Sequence, residues 1–233
     1  MTAPVDHLRI EDLTVHRGGQ AILENLNISI PRGCFVSIEG HSGVGKSSLL
    51  SCLAGMLDPV AGTITFRCQQ GCAHTPLQFR KRLGLIFQHL RLTPNASAKT
   101  NVLCGLLGHR SGWRTLFGFS KSDHTKAIAL LQRLGLELLA EKPVAQLSGG
   151  ERQRVAVARA LISEPECLLA DEPVSHLDPQ TAREVLALLK QECRRSGCTV
   201  FCVLHDRSLA EEFADSTLRL HGDRWEFSEG GVR

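Results

Sequence analysis

The sequence predicts an α/β fold, and three observations carry that prediction. The apolar run Cys34-Phe35-Val36-Ser37-Ile38 reads as a buried strand, leads into the glycine-rich stretch Gly40–Gly45, and gives way to a helix over Ser48–Leu57. Leu49, Leu50 and Leu53 mark the buried side of that helix. Further apolar runs, Leu83–Phe87, Cys167–Ala170 and Val200–Leu204, each end at a polar or ionisable residue: Gln88, Asp171 and His205. Between Thr93 and about Leu161 strand signals vanish and helical spacing replaces them, as in the stripe Ala127, Ile128, Leu131 and Leu134.

Taken in order, His7–Val15 alternates through Leu8, Ile10 and Leu13 and stops at Gly18-Gly19, a strand followed by a turn. Leu26–Ile30 repeats with period two and is closed by Pro31-Arg32-Gly33. Asp58–Gly62 reads as a turn, Thr63–Phe66 as a strand, and Gln69–Pro76 as a polar loop of no regularity. A helix over Pro179–Arg195 starts well, because Asp178 can cap it and proline suits the first helical position. Its positions 182, 185, 186, 189 and 193 share one face. Glu229–Arg233 reads as a frayed tail. One domain, 1–233, is expected, with about 1–92 and 162–233 forming the sheet-based core and about 93–161 a helical insert.

At 233 residues, 42% hydrophobic and 22% charged, the composition is that of an ordinary globular protein. A net charge of +3, with no basic stripe or long coiled coil, gives no support to nucleic acid as a partner. The nine cysteines show no paired C-x-x-C spacing, and Cys34, Cys52, Cys167 and Cys202 sit inside apolar runs as small hydrophobes. The N-terminal residues lack a basic region followed by an apolar core, and no window approaches the ~20 apolar residues of a spanning helix. A cytoplasmic location, at most peripheral to a membrane, is expected.

Gly40-His41-Ser42-Gly43-Val44-Gly45-Lys46-Ser47-Ser48 satisfies G-x-x-x-x-G-K-[ST], the phosphate-cradling P-loop, in the strand–loop–helix setting the motif requires. Glycines let several backbone N–H groups point inward, and the helix N-terminus adds partial positive charge. Lys46 is placed to reach the β- and γ-phosphates, and the Ser47 hydroxyl to ligate Mg²⁺. Parallel strands deliver their C-terminal ends to a nucleotide crevice, so Asp171 is placed to hold Mg²⁺ and Glu172 to orient or deprotonate a water. Leu147-Ser148-Gly149-Gly150-Glu151 opens a helix, with capping-box spacing at Ser148 and Glu151 and two glycines exposing N–H groups.

Together these segments resemble the ATP-binding subunits of ABC transporters over nearly the whole chain. Gln88 matches that family's glutamine loop, Leu147–Gln153 its signature, and Leu168–Pro173 its second Walker motif. Ser175-His176-Leu177-Asp178 matches its D-loop, although a small residue is commoner than His176, and His205 matches its switch histidine. The resemblance implies a P-loop NTPase core with an antiparallel β subdomain and a helical insert carrying the signature. It also implies an ATPase using ATP and Mg²⁺, with Mg²⁺ on Ser47, Gln88 and Asp171. Catalysis would fall to Lys46, Glu172 and His205. Two copies would face head to tail, so that Ser148, Gly149, Gly150 and Asp178 complete the partner's nucleotide site.

Leu92-Thr93-Pro94, Thr100–Gly105 and Trp113-Arg114-Thr115-Leu116-Phe117-Gly118 look like phosphonate import ATPases. That resemblance implies integral-membrane permease subunits as partners, docked through Trp113–Phe119 at the cytoplasmic face, and indirectly a solute-binding protein. A lipoprotein-release or other exporter ATPase, and a permease-free accessory ATPase of phosphonate metabolism, stay open as alternatives. Related subunits stack adenine on an aromatic after the first strand. Here Val15-His16-Arg17-Gly18-Gly19 offers none, which leaves Arg17, favoured by alignment, or His16.

Overall fold

The computed structural model describes residues 6–17, 20–41, 43–109, 118–175, 177–221 and 224–229. Ten strands and seven α-helices are placed among the described residues. The strands are β1 Asp6–Arg17, β2 Gln20–Pro31, β3 Phe35–Glu39, β4 Ala61–Arg67, β5 Ala73–His74, β6 Leu83–Ile86, β7 Cys167–Ala170, β8 Thr199–Val203, β9 Ser216–His221 and β10 Arg224–Glu229. The helices are α1 Lys46–Leu53, α2 Pro76–Phe79, α3 Ala98–Leu103, α4 Lys121–Arg133, α5 Gly149–Leu161, α6 Pro179–Ser196 and α7 Arg207–Phe213.

The strands form an antiparallel sheet ordered β2-β1-β4-β5 and a second sheet ordered β10-β9-β3-β8-β7-β6. In the second sheet β6, β7, β8, β3 and β9 run parallel, and only β10 turns back. Every residue of β3, β7 and β8 is buried, which is why these strands read as unbroken apolar runs rather than alternations. One apolar cluster joins α1 to both sheets, with Val36 and Ile38 of β3 among its members. The other joins α3, α4, α5 and α6 to the opposite sheet face. All five predicted apolar positions of α6, from Ala182 to Cys193, are buried. Asp178 accepts from the N–H groups of Gln180 and Thr181, as a cap should.

Several expectations change. The first helix begins at Lys46 and stops at Leu53, because Gly55 takes φ +63° and unwinds the chain. The stretch predicted as loop, Gln69–Pro76, contains β5, whose pairing of Arg67 with Ala73 closes a short hairpin. Thr75 and Gln78 then form a reciprocal capping box for α2. Glu229, predicted in a frayed tail, pairs with Ser216 at the end of β10. The β9–β10 hairpin was not foreseen, although Gly222-Asp223 between the two strands is a dipeptide that can announce one. Ile128 is partly buried beside Ala127 and Leu131, while Leu130 takes the deeper place. Cys34, Cys52, Cys167 and Cys202 are all buried.

His7 couples the two sheets. Its Nδ1 lies 2.5 Å from Thr199 Oγ1 at the start of β8, and its ring meets Phe66 and Phe79 edge-on. Burial, reinforced by the Arg32 charge, pushes the imidazole pKa down to about 4, against a smaller opposing pull from Glu166. His7 is therefore neutral in the fold, and its contribution is present above the unfolded pKa near 6.5 and lost as pH falls towards 4. Between pH 7 and 5 this linkage costs about 2 kcal/mol. Urea unfolding at both pH values should show that loss in the wild type and not in His7→Gln. Equal losses in the two proteins would remove His7 as its source.

Candidate functional site

Four strand ends converge at one edge of the parallel sheet. Ile38 pairs with Val203, Ala170 with Cys202, and Ile86 with Ala170, so the residues that follow are brought side by side. Those residues are the Gly40–Ser48 loop after β3, Gln88 after β6, Asp171 and Glu172 after β7, and His205 after β8. Sequence separations of up to 165 positions collapse because parallel strands share a polarity.

The loop itself is built on backbone conformations that favour glycine. Gly43 and Gly45 take φ +81° and +106°, and Gly45 caps α1 without a side-chain bond. A Cβ on Gly45 would also sit 3.2 Å from the Ile22 carbonyl. Lys46 is 5% exposed, and its Nζ donates to the carbonyls of Gly40 and His41, each at 2.8 Å. Burial lowers the ammonium pKa, while Glu172 and Asp171 pull it back up. Ser47 and Ser48 lie in the first turn of α1, with Ser47 exposed and Ser48 buried. Val44 packs towards Gly40. Ser42 lies outside the described residues.

Glu172 is the centre of the arrangement. Gln88 donates to its Oε2 at 3.0 Å, and His205 Nε2 lies 2.6 Å from its Oε1. Its backbone is left-handed at φ +50°, and the Ser175 hydroxyl donates to its carbonyl at 3.0 Å. Asp171 differs from its neighbour. Burial raises its pKa despite a hydrogen bond from the Ser47 hydroxyl, and its Oδ1 is buried with no hydrogen-bond partner. A buried, unpartnered carboxylate oxygen beside a serine hydroxyl is a donor set that suits a hard cation or its waters. A cleft of about 450 Å³ runs from Ser47 and Asp171 towards Phe87 and Arg91.

The signature residues lie elsewhere. Ser148 caps α5 reciprocally with Glu151, and Gly150 is pressed so close to Thr181 that a Cβ would meet its Cγ2 at 2.6 Å. Gly149 faces Leu177. Among the described residues, no hydrogen bond joins Ser148–Gly150 or Asp178 to the Gly40–Ser48 loop; they lie beside one another at the starts of α5 and α6. Arg17 closes β1 opposite Gln20, but its side chain lies outside what is described, as do Trp113–Phe117 and His176. His16 is exposed. Sequence reasoning passed over Arg159, an arginine inside the apolar run Val155–Leu161. That position was the available signal.

A profile of the ABC transporter family matches residues 23–175. The chain belongs to the ABC transporter family. Among relatives, it is 42% identical over 203 residues to Phosphonates import ATP-binding protein PhnC 2 of Nostoc sp., covering 87% of this chain and 83% of that protein. It is 40% identical over 215 residues to Phosphite import ATP-binding protein PxtA of Stutzerimonas stutzeri, covering 91% and 78%. Among solved structures, the ATP-binding cassette MJ0796, dimeric in a post-hydrolysis state with ADP and Pi, superposes with a TM-score of 0.80 at 29% identity. The match covers 97% of this chain and all of the other. The likeness to these cassettes extends across both sheets and the helical insert, the P-loop NTPase arrangement expected from the motifs.

Asp171 supplies a test of the site's electrostatics without any ligand. Because folding raises its pKa, the carboxylate costs stability at neutral pH, and that cost fades as pH falls through the folded value. Asp171→Asn should raise the melting temperature at pH 7.5, with a gain that shrinks on acidification. Calorimetry showing a lower melting temperature across the range would contradict the assignment.

Proposed function

We propose that this chain is the ATP-hydrolysing subunit of an importer for phosphonates or a related phosphorus oxyanion. The observation that carries the enzymatic part is the convergence of Gln88 and His205 on Glu172 beside the Lys46 loop. The import part is supported by relatives at 38–42% identity whose names specify phosphonate or phosphite import. The sequence stretches Leu92–Pro94, Thr100–Gly105 and especially Trp113–Gly118 point the same way.

In this reading ATP lies along Gly40–Ser48, its phosphates taking donors from loop N–H groups and from Lys46, which exchanges two carbonyl acceptors for phosphate oxygens. Mg²⁺, when bound, supplies neutralisation of the β- and γ-phosphate oxygens. Ser47, Gln88 and Asp171 would hold it, and the unpartnered Asp171 Oδ1 fits that use. Glu172 accepts a hydrogen bond from the attacking water and aligns it with the γ-phosphorus. His205 holds Glu172 in place and faces the phosphate from the adjoining strand end. Ser148, Gly149 and Gly150 act on the nucleotide of a second copy, which accounts for their separation from Lys46 in one chain; Asp178 lies at that same junction. Dimeric cassettes among the solved relatives support this assembly. Adenine stacking is assigned to Arg17, and permease docking to the insert of about 93–161 through Trp113–Phe119, both on the sequence alone. The subunit sits peripherally at the cytoplasmic face of the membrane, and a solute-binding protein acts on it only through the permease.

Glu172→Gln should keep ATP affinity and lose about a hundredfold or more in kcat, ~2.7 kcal/mol of barrier, because binding uses the loop whereas chemistry uses the oriented water. Gel filtration with ATP should show that variant as a stable dimer. Turnover at the wild-type rate would refute the role. For the solute, the subunit reconstituted with its permease and binding protein should hydrolyse ATP faster when a phosphonate is supplied. No response to phosphonate, phosphite or phosphate would reject the substrate class while leaving the ATPase reading intact.

A further inference from the structure

We propose that Arg159 is a positioning residue for Gln88: its guanidinium holds Leu90 and Arg91 in left-handed backbone and so ties the glutamine loop to the helix that opens at Ser148. Leu90 and Arg91 take φ +52° and +48° in succession, a conformation that residues with a Cβ adopt at an energetic cost. Two bonds local to the loop shape it: Leu90 N–H donates to the Phe87 carbonyl at 2.8 Å, and Arg91 N–H to that of His89 at 2.5 Å. Neither engages the carbonyls of the strained pair. Arg159 does so, donating from Nη1 to the Arg91 carbonyl at 2.6 Å and from Nη2 to the Leu90 carbonyl at 2.5 Å.

The fork of a guanidinium is what this geometry requires, since two carbonyls of adjacent residues must be met at once by groups fixed in one plane. Arg91 contributes from the loop side, its own guanidinium lying 4.2 Å above the Phe87 ring, immediately before Gln88. A close backbone approach keeps the helix near this region: a Cβ on Gly105 would meet the Arg159 carbonyl at 2.1 Å. Arg159 lies eleven residues beyond Ser148, about 16 Å along one continuous helix. Gln88 in turn donates to Glu172. A rigid helix and one bidentate contact thus join the signature end, where a second copy's nucleotide engages, to the residue that steadies Glu172. The inference rests on the functional reading above for what Gln88 and Glu172 do, but not for the clamp itself.

Strain relief separates a clamp from ordinary packing. Arg159→Met keeps an unbranched apolar stem, though a shorter one, and loses both donors. It should lower kcat about tenfold or more while ATP Kd stays within about twofold, since a misplaced positioning group acts on chemistry rather than on binding. Amides of residues 88–92 should exchange with deuterium about tenfold faster in that variant. Adding Leu90→Gly, which adopts the left-handed backbone without strain, should recover threefold or more of the lost kcat and slow the exchange again, by roughly the same factor. Arg159→Lys, which retains charge but not the fork, should fall between, and it is the variant to use if Arg159→Met does not fold. Unchanged exchange at 88–92 in either variant, or no recovery with Leu90→Gly, would overturn the clamp. Because exchange is read without turnover, a wild-type chain that fails to hydrolyse ATP would count against the functional reading and leave the clamp to be judged by exchange.

Discussion

Parallel pairing of β3, β8, β7 and β6 is the constraint from which the site follows. A one-residue slip in any of these pairs would turn every side chain of a strand to the other face, and both faces are packed. Register is held beyond the strands as well. At the site edge, Asp171 N–H donates to the Ile86 carbonyl at 2.9 Å and Leu204 N–H to that of Ile38 at 3.2 Å. At the opposite edge, Glu166 N–H donates to the Arg82 carbonyl, and the Glu166 carbonyl accepts from Thr199. The Glu166 carboxylate also pairs with Arg32 and Arg82 and accepts from Gln69 N–H. Burial alone would raise its pKa, yet these partners hold it below the ordinary carboxylate value. The ionic cluster at one edge and the Gln88–Glu172–His205 cluster at the other therefore draw on the same strand register.

What was legible in the sequence divides along the range of the interaction. Local signals read well. The Ser148/Glu151 capping box and the Asp178 cap with Pro179 behind it depend on contacts within one helical turn, and the apolar face of α6 shows as a helical period within one segment. The buried strands were legible because both faces are apolar. Motif spacing placed Gln88, Asp171, Glu172 and His205 at strand ends, and the structure brings these ends together. Illegible were features set by distant partners. His7 reads as one more residue of an alternating strand; its burial between the sheets, with the Arg32 charge nearby, makes it titrate abnormally, and its partner Thr199 lies 192 positions away. β5 is two residues long and forms because β4 lies beside it. Arg159 was passed over within an apolar run, since its partners are backbone carbonyls that carry no side-chain signal.

Strained backbone in this chain has a regular accompaniment. Six non-glycine residues among those described take positive φ: Asp12, Asn25, Leu90, Arg91, Glu164 and Glu172. Each such residue costs on the order of 1 kcal/mol or more, so it persists only where neighbours compensate. In the antiparallel sheet Asn27 exchanges hydrogen bonds with Asp12 and reaches the Asn25 carbonyl, while Thr14 accepts from Asn25. Gly62 is needed opposite, where a Cβ would lie 2.4 Å from the Asp12 carbonyl carbon. At the sheet edge Ser175 meets the Glu172 carbonyl, and Arg159 those of Leu90 and Arg91. The same device, a side chain hydrogen-bonded to the strained backbone, thus appears at five of the six, all but Glu164, both in a hairpin and at the edge where Gln88 and His205 meet Glu172. Strain alone therefore does not mark a functional residue here. What sets Glu172 apart is the second layer of constraint, a carboxylate held between an amide and an imidazole, so that its backbone and its side chain are fixed independently.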